Sequence, residues 1–197
     1  MREVELKSVV SDLDQARLQV EQAGGKIEYE GRLIDNRYDD VTGRMAERDH
    51  VLRLRIYESR AAKSAYLDWK GPTTFEGGYK VRQEVSTTVG DPEVLADILD
   101  RLGYYLVFEI ERYIWQYTLL GATLRFEQYP RMHTLVEVEG LPSAMEVAIA
   151  AAGLNRHGFS ADRLAQFVDR FEAETGERAA LSRRELGGDY SFSILHA

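Results

Sequence analysis

The chain has 197 residues, of which 44% are hydrophobic, so it is long enough to bury a core as one main domain. It contains no cysteine, which excludes disulfides and thiolate metal sites. Its four histidines are too far apart for a zinc motif, so a bound metal would have oxygen ligands. The formal net charge of -8 argues against nucleic acid or an anionic membrane as a partner.

The sequence shows neither a membrane-spanning segment nor a targeting signal. The sequence has no apolar segment near the roughly 20 residues that a membrane-spanning helix needs, and no apolar leader follows Met1. We therefore expect a cytoplasmic protein. The sequence does not indicate its oligomeric state.

The first predicted elements are a strand at the N-terminus and a helix after it. In the strand, Glu3, Glu5 and Lys7 share one face, and apolar residues occupy the other. The helix is capped by Ser11 or Asp12, continues with helical spacing of its apolar residues, and ends at two glycines.

The middle of the chain predicts an antiparallel meander. Short alternating runs, separated by glycine and proline turns, extend from residue 26 to residue 89. Asp91 followed by Pro92 then predicts the start of a second helix that ends at Gly103. Three more strands follow, within YLVFEIERYIWQYTL, ATLRFEQYP and HTLVEVEGL.

The last third of the chain is predicted to be mainly helical. Ser143, with Glu146 three residues later, predicts a capping box and a third helix as far as about residue 152. Ser160 is predicted to cap a fourth, amphipathic helix. The terminal DYSFSILHA is predicted to be a strand or a packed tail. This order of elements indicates an α+β protein with a largely antiparallel sheet.

Charged residues recur on one face of successive predicted strands. The residues that share a face are Arg53 and Arg55, Asp68 and Lys70, Lys80, Arg82 and Glu84, Arg125 and Glu127, and Glu137 and Glu139. A sheet with one solvated face produces the same alternation. The predominance of Glu and Arg over Ser, Thr and Gln instead favours a sheet that closes into a barrel around these charges.

If the charged faces converge, electrostatics predicts what they bind. Glu3, Glu5, Glu137 and Glu139 would repel each other by roughly 4 kcal/mol per close pair at an effective dielectric constant near 20, unless a cation lies among them. Hard oxygen ligands suit Mg²⁺ or Mn²⁺. The basic residues of the same faces suit phosphate oxygens; they are Lys7, Arg53, Arg55, Lys70, Arg82 and Arg125. Together they predict a site for a metal-bound polyphosphate.

The same residues carry a family resemblance. EVELK resembles the ExExK signature of the CYTH superfamily, also called triphosphate tunnel metalloenzymes. LRLR, LDWKGP, YKVRQEV and VEVEG follow in the family's order and approximate spacing, so the resemblance covers residues 1 to about 155. The superfamily includes class IV adenylyl cyclases, thiamine triphosphatases and inorganic triphosphatases.

The resemblance implies an α+β fold. Residues 1–155 would form a closed eight-stranded antiparallel β-barrel, a tunnel flanked by α-helices. Residues 156–197 would be a C-terminal helix and tail that pack on the tunnel or cap it. The tunnel would bind a triphosphate with one or two divalent metal ions, Mg²⁺ or Mn²⁺.

The resemblance also implies roles for individual residues. The implied metal ligands are Glu3, Glu5, Glu127, Glu137 and Glu139. The implied phosphate-binding residues are Lys7, Arg53, Arg55, Lys70, Arg82, Arg112 and Arg125. The implied catalytic residues are Glu5, Lys7 and Glu84.

One strand, FEIERYIW, departs from the family's pattern. Such proteins often have a basic pair at alternate positions there, but this chain has Arg112 preceded by Ile110. One basic residue fewer on this strand changes how tightly the terminal phosphate is held, and therefore which triphosphate is used.

Three functions fit these residues. The first is a divalent-metal-dependent triphosphatase that hydrolyses an inorganic or organic triphosphate such as tripolyphosphate, ATP or thiamine triphosphate. The second is a class IV adenylyl cyclase that converts ATP to cyclic AMP and pyrophosphate. The third is a non-catalytic module that binds polyphosphate or nucleotides. We expect the first, because the sequence contains the phosphate-binding residues and does not reveal a pocket for a base.

Overall fold

A computed structural model describes residues 2–192, and strands and helices alternate along this range. The strands are β1 (Arg2–Val9), β2 (Lys26–Asp40), β3 (Val51–Glu58), β4 (Lys63–Lys70), β5 (Thr74–Glu76), β6 (Tyr79–Val89), β7 (Tyr104–Leu119), β8 (Ala122–Gln128) and β9 (Leu135–Glu139). The helices are α1 (Leu13–Gln22), α2 (Arg44–Glu47), α3 (Pro92–Arg101), α4 (Pro142–Ala151), α5 (Leu164–Thr175) and α6 (Arg183–Leu186), with a 3-10 helix (Arg156–Gly158) before α5.

Eight of these strands close into an antiparallel barrel. Their order around the ring is β1-β9-β8-β7-β2-β3-β4-β6, and β6 pairs with β1 to complete it. The short β5 pairs with β6 outside the ring. Closure removes the free edges that an open sheet of the same strands would expose. The prediction of a closed eight-stranded antiparallel barrel in an α+β fold is confirmed.

Strand register aligns the charged residues. Arg53 on β3 lies opposite Asp68 on β4, and Lys7 on β1 lies opposite Glu137 on β9. Side chains alternate between the two faces of a strand, so a residue two positions from an inward-pointing one also points inward. This rule places the charged faces of the eight strands on the inside.

Two predicted helix caps are confirmed. The carboxylate of Asp12 accepts a hydrogen bond from the backbone N of Gln15 at 2.9 Å, at the start of α1. The carboxylate of Asp91 accepts one from the backbone N of Val94 at 3.0 Å, and Pro92 is the first residue of α3. Each carboxylate satisfies a backbone donor that has no partner within the helix.

The two predicted serine caps are wrong. Helix α4 begins at Pro142, with Leu141 at the cap position and no side-chain cap, because proline favours the first helical position. Ser160 instead pairs with Lys7, through backbone hydrogen bonds of 2.9 and 2.8 Å. Because both backbone groups of Ser160 are used there, α5 begins four residues later.

Several short elements were not predicted. Helices α2 and α6 and strand β5 have three or four residues each, which is too short to produce a periodic pattern. The predicted strand or tail near the C-terminus is turn as far as Phe192, and residues 193–197 lie outside the described part.

Apolar packing fixes the helices on the barrel. Helices α1 and α4 cover the outside of β1, β7, β8 and β9 through a core that includes Val20, Tyr117 and Ile149. Helix α3 covers Leu54 on the outside of β3. Within residues 2–192, no helix has the length and apolar character needed to cross a bilayer.

Helix α5 packs against one end of the barrel. Its residues Phe167 and Phe171 form a buried cluster with Ile110 of β7 and Leu135 of β9. Ile110 and Leu135 are an even number of positions from Arg112 and Glu137, so they belong to inward-pointing rows. The C-terminal segment therefore packs against inward-pointing residues at this end of the barrel.

Candidate functional site: a charged tunnel

A cavity of about 270 Å³ lies inside the barrel and is lined by charged residues from all eight of its strands. Its basic lining residues are Lys7, Arg37, Arg53, Arg55, Lys70, Lys80, Arg82, Arg112, Arg125 and Arg163. Its acidic lining residues are Glu3, Glu5, Asp35, Asp49, Glu127 and Glu137. For these strands the charged faces form a lumen, and the alternative of a solvated outer face is wrong.

The cavity has a surplus of positive charge. Ten basic and six acidic side chains line it, so its formal charge is four units positive when its histidine is neutral. The chain as a whole has a net charge of -8. A positive cavity in an acidic protein attracts multivalent anions selectively, because field lines concentrate in a cleft with low-dielectric walls.

Asp35 is the centre of a buried ion-pair network. Arg55 binds its two carboxylate oxygens at 2.7 and 3.0 Å, Arg112 donates to it at 3.0 Å, and Arg53 lies 3.7 Å away. Burial alone would raise the pKa of Asp35, but the three guanidinium groups outweigh burial and hold the pKa well below its usual value. The carboxylate thus holds the three arginines in position.

Glu127 joins β7 and β8 in a similar way. It accepts hydrogen bonds from Arg112 at 2.9 Å, Arg125 at 3.1 Å and the hydroxyl of Tyr129 at 2.8 Å. Burial opposes ionisation, but Arg112, Lys7 and Arg125 lower the pKa of Glu127 far below its ordinary value. Its oxygens are already occupied by donors within the protein.

The carboxylates of β1 are paired with lysines. Lys70 lies 2.5 and 2.6 Å from the oxygens of Glu3, and Lys80 lies 2.6 Å from Glu5. Lys7 lies 3.9 Å from Glu5 and forms an ion pair with Glu137. These ammonium groups are single point charges on flexible stems, so a competing ligand displaces them more readily than forked arginine contacts.

Glu139 differs from the other carboxylates. Within the described chain its side chain has no hydrogen bond and no ion pair, although Glu5 lies opposite it across the strand pair. Burial raises the pKa of Glu139, and the charges of Glu3 and Glu5 add to the rise, while Arg125 lowers it. A cation at this position would offset the rise, because it favours the ionised carboxylate.

No group of three or more His, Asp or Glu side chains among residues 2–192 is arranged to hold a metal ion. The donor chemistry does fit a hard divalent cation, because the unpaired Glu139 carboxylate lies beside Glu3 and Glu5. Glu127 and Glu137 fit less well, since arginines, whose contacts a ligand displaces less readily than those of lysines, already bind their oxygens.

Arg37 lacks an ion pair among the described residues, and its Nε is a buried donor without an acceptor. Burial lowers the pKa of Arg37 to about 10; Arg53 adds to the decrease and Asp35 opposes it. Nη1 of Arg112 is likewise buried without a partner. Buried donors of this kind are rare in folded proteins, and both residues line the cavity.

One side of the cavity is bordered by the α2–β3 loop and by α5. Arg82 donates to the backbone oxygens of Gly71 at 2.7 Å and Asp49 at 2.5 Å. Arg163, at the cap position of α5, donates to the Asp49 carboxylate at 2.9 Å. The C-terminal segment therefore contributes a cation to the cavity wall.

The predicted site residues mostly meet in this cavity. Those that line it are Glu3, Glu5, Lys7, Arg53, Arg55, Lys70, Arg82, Arg112, Arg125, Glu127 and Glu137. Glu84 lies beside it, 3.2 Å from Arg53 and 3.3 Å from Lys70. Glu139 is not among the lining residues, and it lies opposite Glu5, which is one of them. Their location is thus known, and their roles as ligands or catalysts stay predictions.

Sequence analysis missed several lining residues. Asp35 and Arg37 alternate on β2, as the other charged pairs do, so the same period-two rule applied to LIDNRYDD would have found them. Arg37 also supplies a guanidinium next to the position where β7 has Ile110 in place of a basic residue. Arg163 carries no such signal, because only tertiary packing brings α5 to the cavity.

The CYTH domain family model matches residues 1–146, about three quarters of the chain. The chain therefore belongs to the CYTH family. A curated relative from Azoarcus sp. (strain BH72), UPF0502 protein azo0627, is 31% identical over 152 residues. The match covers 76% of this chain and 63% of that relative, so the chain spans less than two thirds of the relative's length.

Solved structures share the fold. A candidate adenylate cyclase from Vibrio parahaemolyticus superposes with a TM-score of 0.71 at 17% identity, covering 85% of this chain and 97% of that one. HpAC1 from Hippeastrum, a candidate adenylyl cyclase described as having a dominant triphosphatase activity, has a TM-score of 0.58 at 14% identity, covering 91% and 99%. At these identities the likeness concerns the fold alone.

Proposed function

We propose that this protein is a divalent-metal-dependent enzyme that hydrolyses a triphosphate. The observation that supports the proposal most is the positive cavity, whose lining residues Arg37 and Arg112 each have a buried side-chain nitrogen with no acceptor among residues 2–192. An unsatisfied buried donor costs about 1–3 kcal/mol, and phosphate oxygens are strong acceptors for guanidinium groups. A triphosphate offers several charges and oxygens along one chain, which suits a surplus of four positive charges.

In the proposed reaction the basic residues bind the phosphates and offset the charge of the transferred group. They are Lys7, Arg53, Arg55, Lys70, Arg82, Arg112 and Arg125, joined by Arg37. A water oxygen bonds to the terminal phosphorus, and the bond from that phosphorus to its bridging oxygen breaks. Glu5, with Lys7 beside it, orients the water, whose proton passes to solvent. Glu84 positions Arg53 and Lys70. The products are diphosphate and phosphate.

The metal ligands we propose are Glu3, Glu5 and Glu139, with Glu127 and Glu137 as supporting carboxylates. Bound Mg²⁺ or Mn²⁺ would supply charge neutralisation at the phosphate oxygens. Lys70 and Lys80, which pair with Glu3 and Glu5, are close enough to contact substrate phosphates once released. A cytoplasmic location, where nucleoside triphosphates are made, belongs to the same proposal.

Adenylyl cyclase activity is the second candidate. In that reaction the 3′-hydroxyl of ATP bonds to the α-phosphorus and pyrophosphate leaves, which requires a site for the base next to the phosphates. A second cavity that shares Arg55 with the tunnel favours this candidate, because it has room for an organic group.

The deciding experiment incubates the purified protein with tripolyphosphate, ATP or thiamine triphosphate, with Mg²⁺, with Mn²⁺ or with EDTA. Metal-dependent release of phosphate is the expected result. Cyclic AMP with pyrophosphate would establish the cyclase instead. Tight binding of a triphosphate without turnover would reduce the protein to a binding module, and no binding at all would overturn every version of the proposal.

A further inference from the structure

The barrel has a second cavity, of about 380 Å³, with a different chemical character. It is lined by Tyr29, Arg55, Tyr57, Ser64, Tyr66, Asp68, Glu84, Ser86 and Gln116. These residues continue the inward-pointing rows of β2, β3, β4, β6 and β7 away from the end against which α5 packs. Its volume falls in the range of pockets for small organic molecules.

Three tyrosines form a continuous aromatic wall in this cavity. The ring centroids of Tyr29 and Tyr57 are 5.1 Å apart, and those of Tyr57 and Tyr66 are 5.9 Å apart, both edge to face. Tyr29 donates its hydroxyl to the backbone oxygen of Arg32 at 3.0 Å, which fixes that ring. Aromatic side chains that are only partly covered offer faces and edges for a further flat ring.

Arg55 connects the aromatic wall to the phosphate cavity. It lines both cavities, and its guanidinium carbon lies 5.9 Å from the centroid of the Tyr57 ring. Asp35 holds this guanidinium from the side of the tunnel. A molecule with its phosphates among the arginines can therefore extend past Arg55 towards the tyrosines.

The polar groups of the second cavity suit a heterocycle better than another phosphate. Arg55 is its one basic lining residue in the described chain, and Asp68 and Glu84 are acidic. The side chain of Gln116 makes no hydrogen bond to a described residue. A free amide both donates and accepts, which matches the edge of a nucleobase. The carboxylates would repel additional phosphate.

We propose that this second cavity, here called the tyrosine pocket, binds the aromatic heterocycle of an organic triphosphate. The proposal rests on the proposed function, because it assumes that the triphosphate lies in the tunnel. Tyr57 and Tyr66 are then specificity-determining residues that contact the ring, and Gln116 reads its edge. The preferred substrate is an aromatic triphosphate such as a nucleoside triphosphate, and inorganic tripolyphosphate is a poorer one.

The test compares kcat/KM for ATP, thiamine triphosphate and tripolyphosphate in the wild type, Tyr57→Leu and Tyr66→Leu. Loss of stacking on one aromatic ring is expected to lower the ratio of kcat/KM for ATP to that for tripolyphosphate by roughly 5- to 100-fold. Tyr57→Phe keeps the ring and should restore most of the ratio. Tyr105→Leu is the matched control, because Tyr105 is exposed on β7 and lies outside both cavities.

The outcomes separate this inference from the proposed function. If the wild type hydrolyses tripolyphosphate better than ATP and thiamine triphosphate, the inference fails and the triphosphatase stands. The inference also fails if the leucine variants fold but keep the wild-type ratio. A larger effect with thiamine triphosphate than with ATP would identify a cationic heterocycle as the ring.

A second measurement, NMR of the wild-type protein, tests the inference even if the variants do not fold or the protein shows no turnover. In saturation-transfer NMR of the wild type with ATP, the adenine protons should receive more saturation than the ribose protons, because they lie against the tyrosine rings. Equal or weaker saturation of the adenine protons would overturn the inference without any reference to catalysis.

Discussion

The two sides of the tunnel hold their charges in different ways. On the arginine side, formed by β2, β3 and β7, Asp35 is shared by Arg53, Arg55 and Arg112. On the glutamate side, formed by β1 and β9, Glu3 and Glu5 pair with lysines, and Glu139 has no ion pair within the described part of the chain. The arginine side stabilises the barrel wall, whereas the carboxylates of the glutamate side remain able to bind a ligand.

The largest effect should come from breaking the arginine side. Asp35→Asn leaves guanidinium groups buried without their counter-charge, so we expect the free energy of unfolding to fall by about 3–5 kcal/mol. Urea denaturation measures this change. The control is Asp97→Asn, which removes an exposed partner 2.9 Å from Arg101 on α3 and should change stability by less than about 0.5 kcal/mol. A loss as small as the control's would contradict a structural role for Asp35.

On the glutamate side, we expect a substitution to lower activity more than stability. Glu5→Gln removes a charge proposed to hold the metal, so we expect metal-dependent turnover to fall by about 100-fold or more. The thermal midpoint should also fall, because Lys80 and Lys7 lose a buried partner, but by less than in Asp35→Asn, which leaves three guanidinium groups without their shared carboxylate. Full turnover in Glu5→Gln would show that Glu5 is not part of the site. The control is Glu93→Gln, which removes one negative charge at an exposed position.

A smaller effect distinguishes the unpaired carboxylate from the paired ones. Glu139→Gln removes the charge that Glu3 and Glu5 repel, so the protein without metal should be as stable as the wild type or more stable. The Mg²⁺ or Mn²⁺ concentration for half-maximal activity should rise by about 10-fold or more. A metal titration and a thermal melt measure the two quantities. A destabilised variant with an unchanged metal requirement would place Glu139 among the structural carboxylates.

Acid should weaken the arginine side gradually. The pKa of Asp35 is depressed in the folded protein, so its stabilisation is fully present above the unfolded value of about 3.9 and is lost as the pH falls below it. Asp35 then contributes a slope of up to about 1.4 kcal/mol per pH unit. Unfolding free energies of the wild type and Asp35→Asn between pH 5 and 3 measure this slope. The two curves should converge towards low pH, and parallel curves would contradict the depressed pKa.

The barrel and most of its charged lining could be predicted from the order of the residues alone. Alternating Glu, Arg and Lys on successive strands predicted one charged face, since side chains on a strand repeat every two residues. The aspartate caps at Asp12 and Asp91 were also readable, because a cap depends on residues only a few positions apart.

Which charges are paired, and which residues lie at each end of the tunnel, could be known only from the folded chain. Whether Asp35 holds arginines and Glu139 stands alone depends on distances between strands far apart in the chain. Ser160 failed as a cap because Lys7, more than 150 positions earlier, uses its backbone groups. The tyrosine pocket could not be predicted for a related reason: Tyr29, Tyr57 and Tyr66 lie on three strands, and the pairing register of β2, β3 and β4 brings their rings together.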